Sequence, residues 1–221
     1  FHEIEALADR ISVFRNGQCV ESFNQGAHTY SEIINMMVGQ NIDQLFPPKP
    51  VFSADADEVL NVTNFGWNDV VKDVSLKVRE GEIVGLGGLD GQGQNAFLIG
   101  LFGLLKQISG TVEVAGKAVS IKSTRAAKRS TIGMALNPED RKNEGLVQEQ
   151  SIADNLELAA IGRRDLDATN IALYEAWLDR LELKHGGYNL PVSSLSGGNQ
   201  QKVVLAKWLA LRPRCLLLSD P

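Results

Sequence analysis

Leu195–Leu211, LSGGNQQKVVLAKWLAL, sets Ser196, Gly197 and Gly198 directly ahead of an apolar-periodic run. A serine there can accept from the first free N–H groups of a helix, and the glycines remove side chains that would keep a ligand away. Val204, Leu205, Trp208 and Leu209 share one helical face, with Gln200, Lys202 and Lys207 mostly off it. A helix of this kind with an uncovered N-terminus favours an anion, through its backbone N–H groups and its macrodipole. The plainer alternative is an ordinary capped helix after a glycine turn.

A second stretch, Gly85–Asn95, reads GLGGLDGQGQN. From Gly88 to Asn95 its frame fits the phosphate-loop pattern G-x-x-x-x-G-K-[ST], through Gly91 and Gly93, but Gln94 holds the lysine position and Asn95 the Ser/Thr position. Glycines alone also suit a sharp strand-to-helix turn. Backbone N–H groups and a helix start can cradle α- and β-phosphates without the lysine. The lost charge-assisted contact is worth about 1.5–3 kcal/mol, or roughly one to two decades of affinity. Gln94 still offers a neutral hydrogen bond, and Asn95 offers Mg²⁺ an amide oxygen in place of a hydroxyl.

The elements around these stretches supply the context that such a loop requires. Val74, Leu76 and Val78 alternate with polar neighbours as a half-buried strand, Ile83–Leu86 reads as a short buried strand, and Gln94–Leu105 as a helix. Thr111–Val114 and Val119–Ile121 read as strands around Ala115-Gly116, and Ile132–Leu136 as another buried strand. Asn137–Gly145 is polar and irregular. Helices follow near Ile152–Ile161, with Ser151 and Asp154 spaced as a cap, and near Ile171–Leu183. Upstream, Asn16-Gly17 is a hairpin turn between Ile11–Phe14 and Gln18–Ser22, and Tyr30–Val38 is helical up to Gly39. Pro47, Pro48 and Pro50 mark a stiff linker.

Composition narrows the class. The 221 residues are 43% apolar with a net charge of −5, and no basic block points to nucleic acid. No run approaches the ~20 apolar residues of a membrane span. Cys19 and Cys215, far apart and outside any motif, are expected as buried, reduced thiols. The chain starts at Phe1 and stops at Asp220-Pro221, straight after the apolar run Cys215–Leu218, so it reads as a fragment of something longer.

LSGGNQQK resembles the signature sequence of ABC ATPases, in the form used by ATP-binding subunits of sugar importers. Residues 8–17, ADRISVFRNG, resemble the last sheet hairpin of a preceding cassette, and residues 36–40, MMVGQ, its closing helix. The resemblance implies an α/β P-loop NTPase core with a helical signature subdomain, truncated at the Walker B strand. Residues 1–46 are then the tail of one cassette, 47–58 a linker and 59–221 most of a second, with the helical subdomain near 138–194. A switch histidine would fall just before Phe1, which leaves His2, His28 and His185 as surface residues.

Leu216–Pro221, LLLSDP, resembles a Walker B stretch, which normally ends D-E-P. Ser219 then replaces the aspartate that orients Mg²⁺, and Asp220 replaces the glutamate that polarises water, one methylene shorter. A misplacement of ~1 Å can cost on the order of a hundredfold. Phosphoryl transfer depends on positioning and charge neutralisation, so this loop is expected to bind ATP and hydrolyse it poorly. The resemblance assigns Ser196, Gly197, Gly198 and Gln200 to the γ-phosphate on a partner cassette of the same chain. Pro138-Glu139-Asp140-Arg141 resembles the segment at the Q-loop position, near the water site and the permease contact; a solvated turn with a local Glu–Arg pair is the alternative. Phe65 or Trp67 either stacks on adenine or belongs to the core.

The whole implies an ATP- and Mg²⁺-dependent subunit at the cytoplasmic face of the membrane. It would serve permease subunits and, indirectly, a solute-binding protein in the uptake of a monosaccharide or similar solute. The rival readings are a non-hydrolysing, nucleotide-dependent regulatory module and a soluble ABC ATPase outside transport.

Overall fold

A computed structural model describes residues 2–39, 53, 55–129, 131–162 and 171–219. Asp220 and most of the proline-rich linker lie outside the described residues. The chain forms two compact units, Phe1–Val51 and Phe52–Pro221.

The first unit contains α1 (His2–Leu7), β1 (Arg10–Arg15), β2 (Gln18–Asn24) and α2 (Tyr30–Val38). Asn16 and Gly17 both take positive φ, 51° and 78°, as a two-residue turn matched to strand twist demands. Thr29 and Glu32 form a reciprocal capping box on α2, and Gly39 closes the helix in the left-handed region. Val13, Phe23 and Ile33 make a small core. Cys19 is exposed rather than buried, because the last turns of this hairpin cover only one face. His28 is not isolated: its ring lies 3.1 Å from Glu21 and 3.7 Å from Glu32, against the edge of Phe23.

The second unit has a four-stranded antiparallel sheet of β3 (Glu58–Trp67), β4 (Val71–Arg79), β5 (Ser109–Val114) and β6 (Lys117–Val119), in the order β4-β3-β5-β6. Alternation along β4 half-buries Val74, Leu76 and Val78 as expected. Between β4 and β5 stands α3 (Gln94–Leu101), which ends earlier than its apolar pattern because Gly103, at φ 82°, turns the chain away. After the short α4 (Thr124–Ala127), the fully buried β7 (Met134–Asn137) pairs in parallel with β8 (Cys215–Leu218).

A π-turn at Arg141–Gly145 leads to α5 (Ile152–Glu157), whose N-cap Ser151 accepts from the Asp154 N–H. α6 (Ile171–Arg180) and α7 (Gly197–Leu209) complete the helical part. Cys215 is half-buried on β8, and burial pushes its thiol up to about 11.

Two expectations are corrected. Residues 83–86 form no strand, and Ile83 is 89% exposed. A parallel-sheet strand draws its hydrogen bonds and its burial from neighbours on either side. Among the described residues β7 and β8 pair only with one another, and no strand lies beside 83–86. α7 is also not amphipathic in the expected sense: Gln200 and Lys207 are buried together with Val203, Val204, Ala206 and Trp208. It runs between α5 and α6 on one side and β7 on the other, so polar positions are enclosed too.

The core settles one alternative. Phe65 is 1% exposed and meets Phe97 edge-on with centroids 4.9 Å apart, so it is packing, not an adenine platform. Phe65→Ala should therefore lower stability by about 3–5 kcal/mol, read from urea unfolding midpoints.

Candidate functional site

At the start of α7 the backbone donors have no hydrogen-bond partner among the described residues. Ser196 holds the N-cap position with extended backbone, yet its side chain makes no capping bond. It is exposed, and so is Gly198, beside which nothing lies where a Cβ would project. Gln200 points the other way. It is 4% exposed, and its Nε2 donates to the Val192 and Leu195 carbonyls, both at 3.3 Å. In this structure the Gln200 amide holds the loop that delivers the chain to Ser196.

In the glycine loop, Gly91 and Gly93 take left-handed φ values of 76° and 97°. A Cβ on Gly93 would lie 2.8 Å from the Val70 carbonyl, so the position is closed to other residues twice over. Gln94 folds back across Gly88, and its Nε2 donates to the Leu89 carbonyl at 3.1 Å. The lysine position therefore braces the loop. A cavity of about 430 Å³ lies against it, lined by Gly88, Gly91, Gly93, Gln94, Asn95, Glu139 and Ser219 among others. Among the described residues its charged lining residues are Asp90 and Glu139, with no lysine or arginine.

Asn95 joins the positions expected to hold a metal. Its Nδ2 donates to Glu139 Oε2 at 2.8 Å, and the Ser219 hydroxyl donates to its Oδ1 at 3.2 Å. A Mg²⁺ ion wants hard, largely anionic oxygens free to converge on it. Here the Ser219 hydroxyl and the Asn95 amide are neutral and bonded to one another, and Glu139 Oε2 accepts from the same amide. The alternative of a Glu–Arg pair in this segment is also not realised, since Glu139 bonds to Asn95. Asp140 accepts from the Lys142 and Asn143 N–H groups and the Asn143 side chain, which together hold its carboxyl below the ordinary range.

Trp67 does not reach the loop. Its indole N–H donates to the Lys106 carbonyl at 3.1 Å, and its ring packs on the core beneath the sheet. It is absent from the cavity lining, where Val70 takes the corresponding place. In this structure Trp67 is thus engaged with the Lys106 carbonyl and the core.

Three further residues tie these parts together. Asn137, fully buried, accepts from Gln201 Nε2 at 3.1 Å and donates to the Ser219 carbonyl at 3.3 Å. Lys207, also buried, donates from Nζ to the Gly145 carbonyl. Arg141 lays its guanidinium against Gly197. Sequence spacing does not mark these contacts. One signal was available for Asn137, as a polar residue ending an apolar run at a motif boundary.

The ABC transporter family profile matches residues 71–221. A ribose import ATP-binding protein, RbsA 1, of Rhizobium johnstonii is 43% identical over 225 residues, covering 100% of this chain and 44% of that protein. The arabinose import ATP-binding protein AraG 2 of Burkholderia ambifaria is 38% identical over 228 residues, covering 99% and 43%. The chain thus spans less than half the length of these relatives. Among solved structures, a nucleotide-free ATP-binding cassette from an ABC transporter superposes with a TM-score of 0.59 at 19% identity, covering 73% of this chain and 68% of that one. Another, cbiO1 from Clostridium perfringens, gives 0.58 at 20%, covering 73% and 65%. These likenesses show the fold.

Burial, with Lys128 nearby, brings the Lys207 ammonium down to about 8. The unfolded chain therefore holds that proton between about 8 and the ordinary lysine value near 10.4, and stability rises with pH across the window. Lys207→Met should remove the rise. In urea unfolding, the wild type should gain on the variant by on the order of 2 kcal/mol between about pH 7.5 and 10.

Proposed function

The chain belongs to the ABC transporter family, and from that premise we propose that it is most of an ATP-binding cassette energising import of a monosaccharide or similar solute. Residues 1–46 are the tail of a preceding cassette in the same protein, and 47–58 the linker to this one. The permease subunits meet the helical part and the 138–141 segment, and a solute-binding protein delivers the cargo. The subunit sits peripherally at the cytoplasmic face of the membrane. In keeping with that, no described helix is long and apolar enough to cross one.

The two ends of the site have unequal roles. The phosphate loop of this chain is a degenerate site: its backbone cradles a nucleotide, but Gln94, Asn95 and Ser219 provide neither the cation nor the acidic anchor that cleavage needs. The signature is competent. The Ser196 hydroxyl and the free N–H groups of Gly197 and Gly198 close on the terminal phosphate of ATP held by the partner cassette, and turnover with Mg²⁺ occurs there. The observation that carries this reading is the contrast in charge and openness: exposed, unspent donors at the start of α7 against a loop cavity with two carboxylates and no cation.

Ser196→Arg in the full-length protein, assembled with its permease, tests the reading. The bulky cation blocks the start of α7, and ATP turnover should fall by about a hundredfold or more. Unchanged turnover would show that this signature does not serve the productive site.

A further inference from the structure

We infer that Arg141 is the charged member of the signature site, with its guanidinium on the terminal phosphate of the nucleotide that the start of α7 receives. The inference rests on the proposed role of the signature and adds to it a residue that lies outside the LSGGNQQK string.

Arg141 opens the π-turn Arg141–Gly145, and its head group reaches the first turn of α7. A Cβ on Gly197 would lie 2.6 Å from Nη2, so the glycine is what lets the guanidinium seat there. The Arg141 Nε is buried without a hydrogen-bond partner. Carboxylates are close in sequence, and Glu139, Asp140 and Glu144 line the same cleft as Arg141. None forms an ion pair with it among the described residues. Glu139 is engaged by Asn95, and Asp140 by the turn that it caps.

A cation held against the positive end of a 13-residue helix is electrostatically unfavourable by itself. The same pairing becomes favourable when an anion bridges the guanidinium and the free N–H groups. Ser196 has no capping bond, Gly198 is open and Arg141 has no acidic partner, so three donors share one missing acceptor. A phosphate supplies enough oxygens for all three, and guanidinium suits it in shape and charge. If Arg141 only packed, its stem against Gly145 would suffice and the head group would have no assigned task.

The test uses the full-length protein. Binding of fluorescent ATP and ADP analogues is measured for wild type, Arg141→Met, Arg141→Lys and Ser196→Arg, alongside KM and kcat for ATP. Arg141→Met keeps the stem and should weaken ATP binding by about tenfold or more, from loss of a charge-assisted contact, while ADP changes by less than about twofold. Arg141→Lys should recover part of the loss. Equal losses for ATP and ADP would mean a structural role and overturn the inference, as would a lysine variant no better than methionine. If Ser196→Arg abolishes turnover while Arg141→Met binds ATP normally, the inference fails and the signature reading stands. If neither variant affects ATP, the signature reading falls and takes the inference with it.

Discussion

Asn137 is fully buried at the end of β7, and its amide reaches two other segments from there. It accepts from Gln201 on α7 and donates to the Ser219 carbonyl, while the Ser219 N–H donates to the Asn137 carbonyl at 3.0 Å. A buried amide left without partners costs far more than a satisfied one contributes, so these three segments are constrained to meet at one place. The glycine-loop helix is drawn in through Ser219, whose hydroxyl bonds to Asn95. The chain of bonds from Gln201 to Glu139 therefore runs from the signature helix to the loop without a charged pair. Apolar packing around α7 brings the elements together; this amide fixes where they touch.

That wiring explains why the substitutions at the loop are tolerated. A lysine at 94 and an aspartate at 219 would put charges in this corner, where each needs a ligand or a counter-ion. Glutamine, asparagine and serine instead satisfy one another and the Leu89 carbonyl. The corner is stable as protein alone. On the reading proposed above, charge that develops in phosphoryl transfer at this loop would meet two carboxylates and, among the described residues, no lysine or arginine.

Much of this was legible in residue order. Asn16-Gly17, Ser151 with Asp154, and Ser196-Gly197-Gly198 act through bonds to residues a few positions away, so spacing alone exposes them. Even there the reading was partial, since Ser196 sits at the N-cap without forming the cap. Gln200 and Lys207 were misplaced because burial of a helix on more than one side depends on what surrounds it. Residues 83–86 have the composition of a buried strand, but a strand is a property of its neighbours. β3 escaped notice for a related reason: its polar and apolar residues follow no clean alternation across three register shifts. Arg141 was visible only as part of a resemblance, because its distance from Gly197 in sequence hides their contact.

The positions of Glu139 and Arg141 connect the two ends of the site. They stand two residues apart, yet one bonds to the glycine-loop helix and the other lies on the signature helix. Asp140 between them caps the π-turn, which fixes their relative placement. The turn is held at its far end by Lys207 of α7, through the Gly145 carbonyl. A shift of Glu139 that follows a ligand at the loop must then either strain this short turn or carry Arg141 along the start of α7. Interiors packed to this density transmit displacement more readily than they absorb it. This turn thus gives the glycine-loop helix and the start of α7 a common physical link.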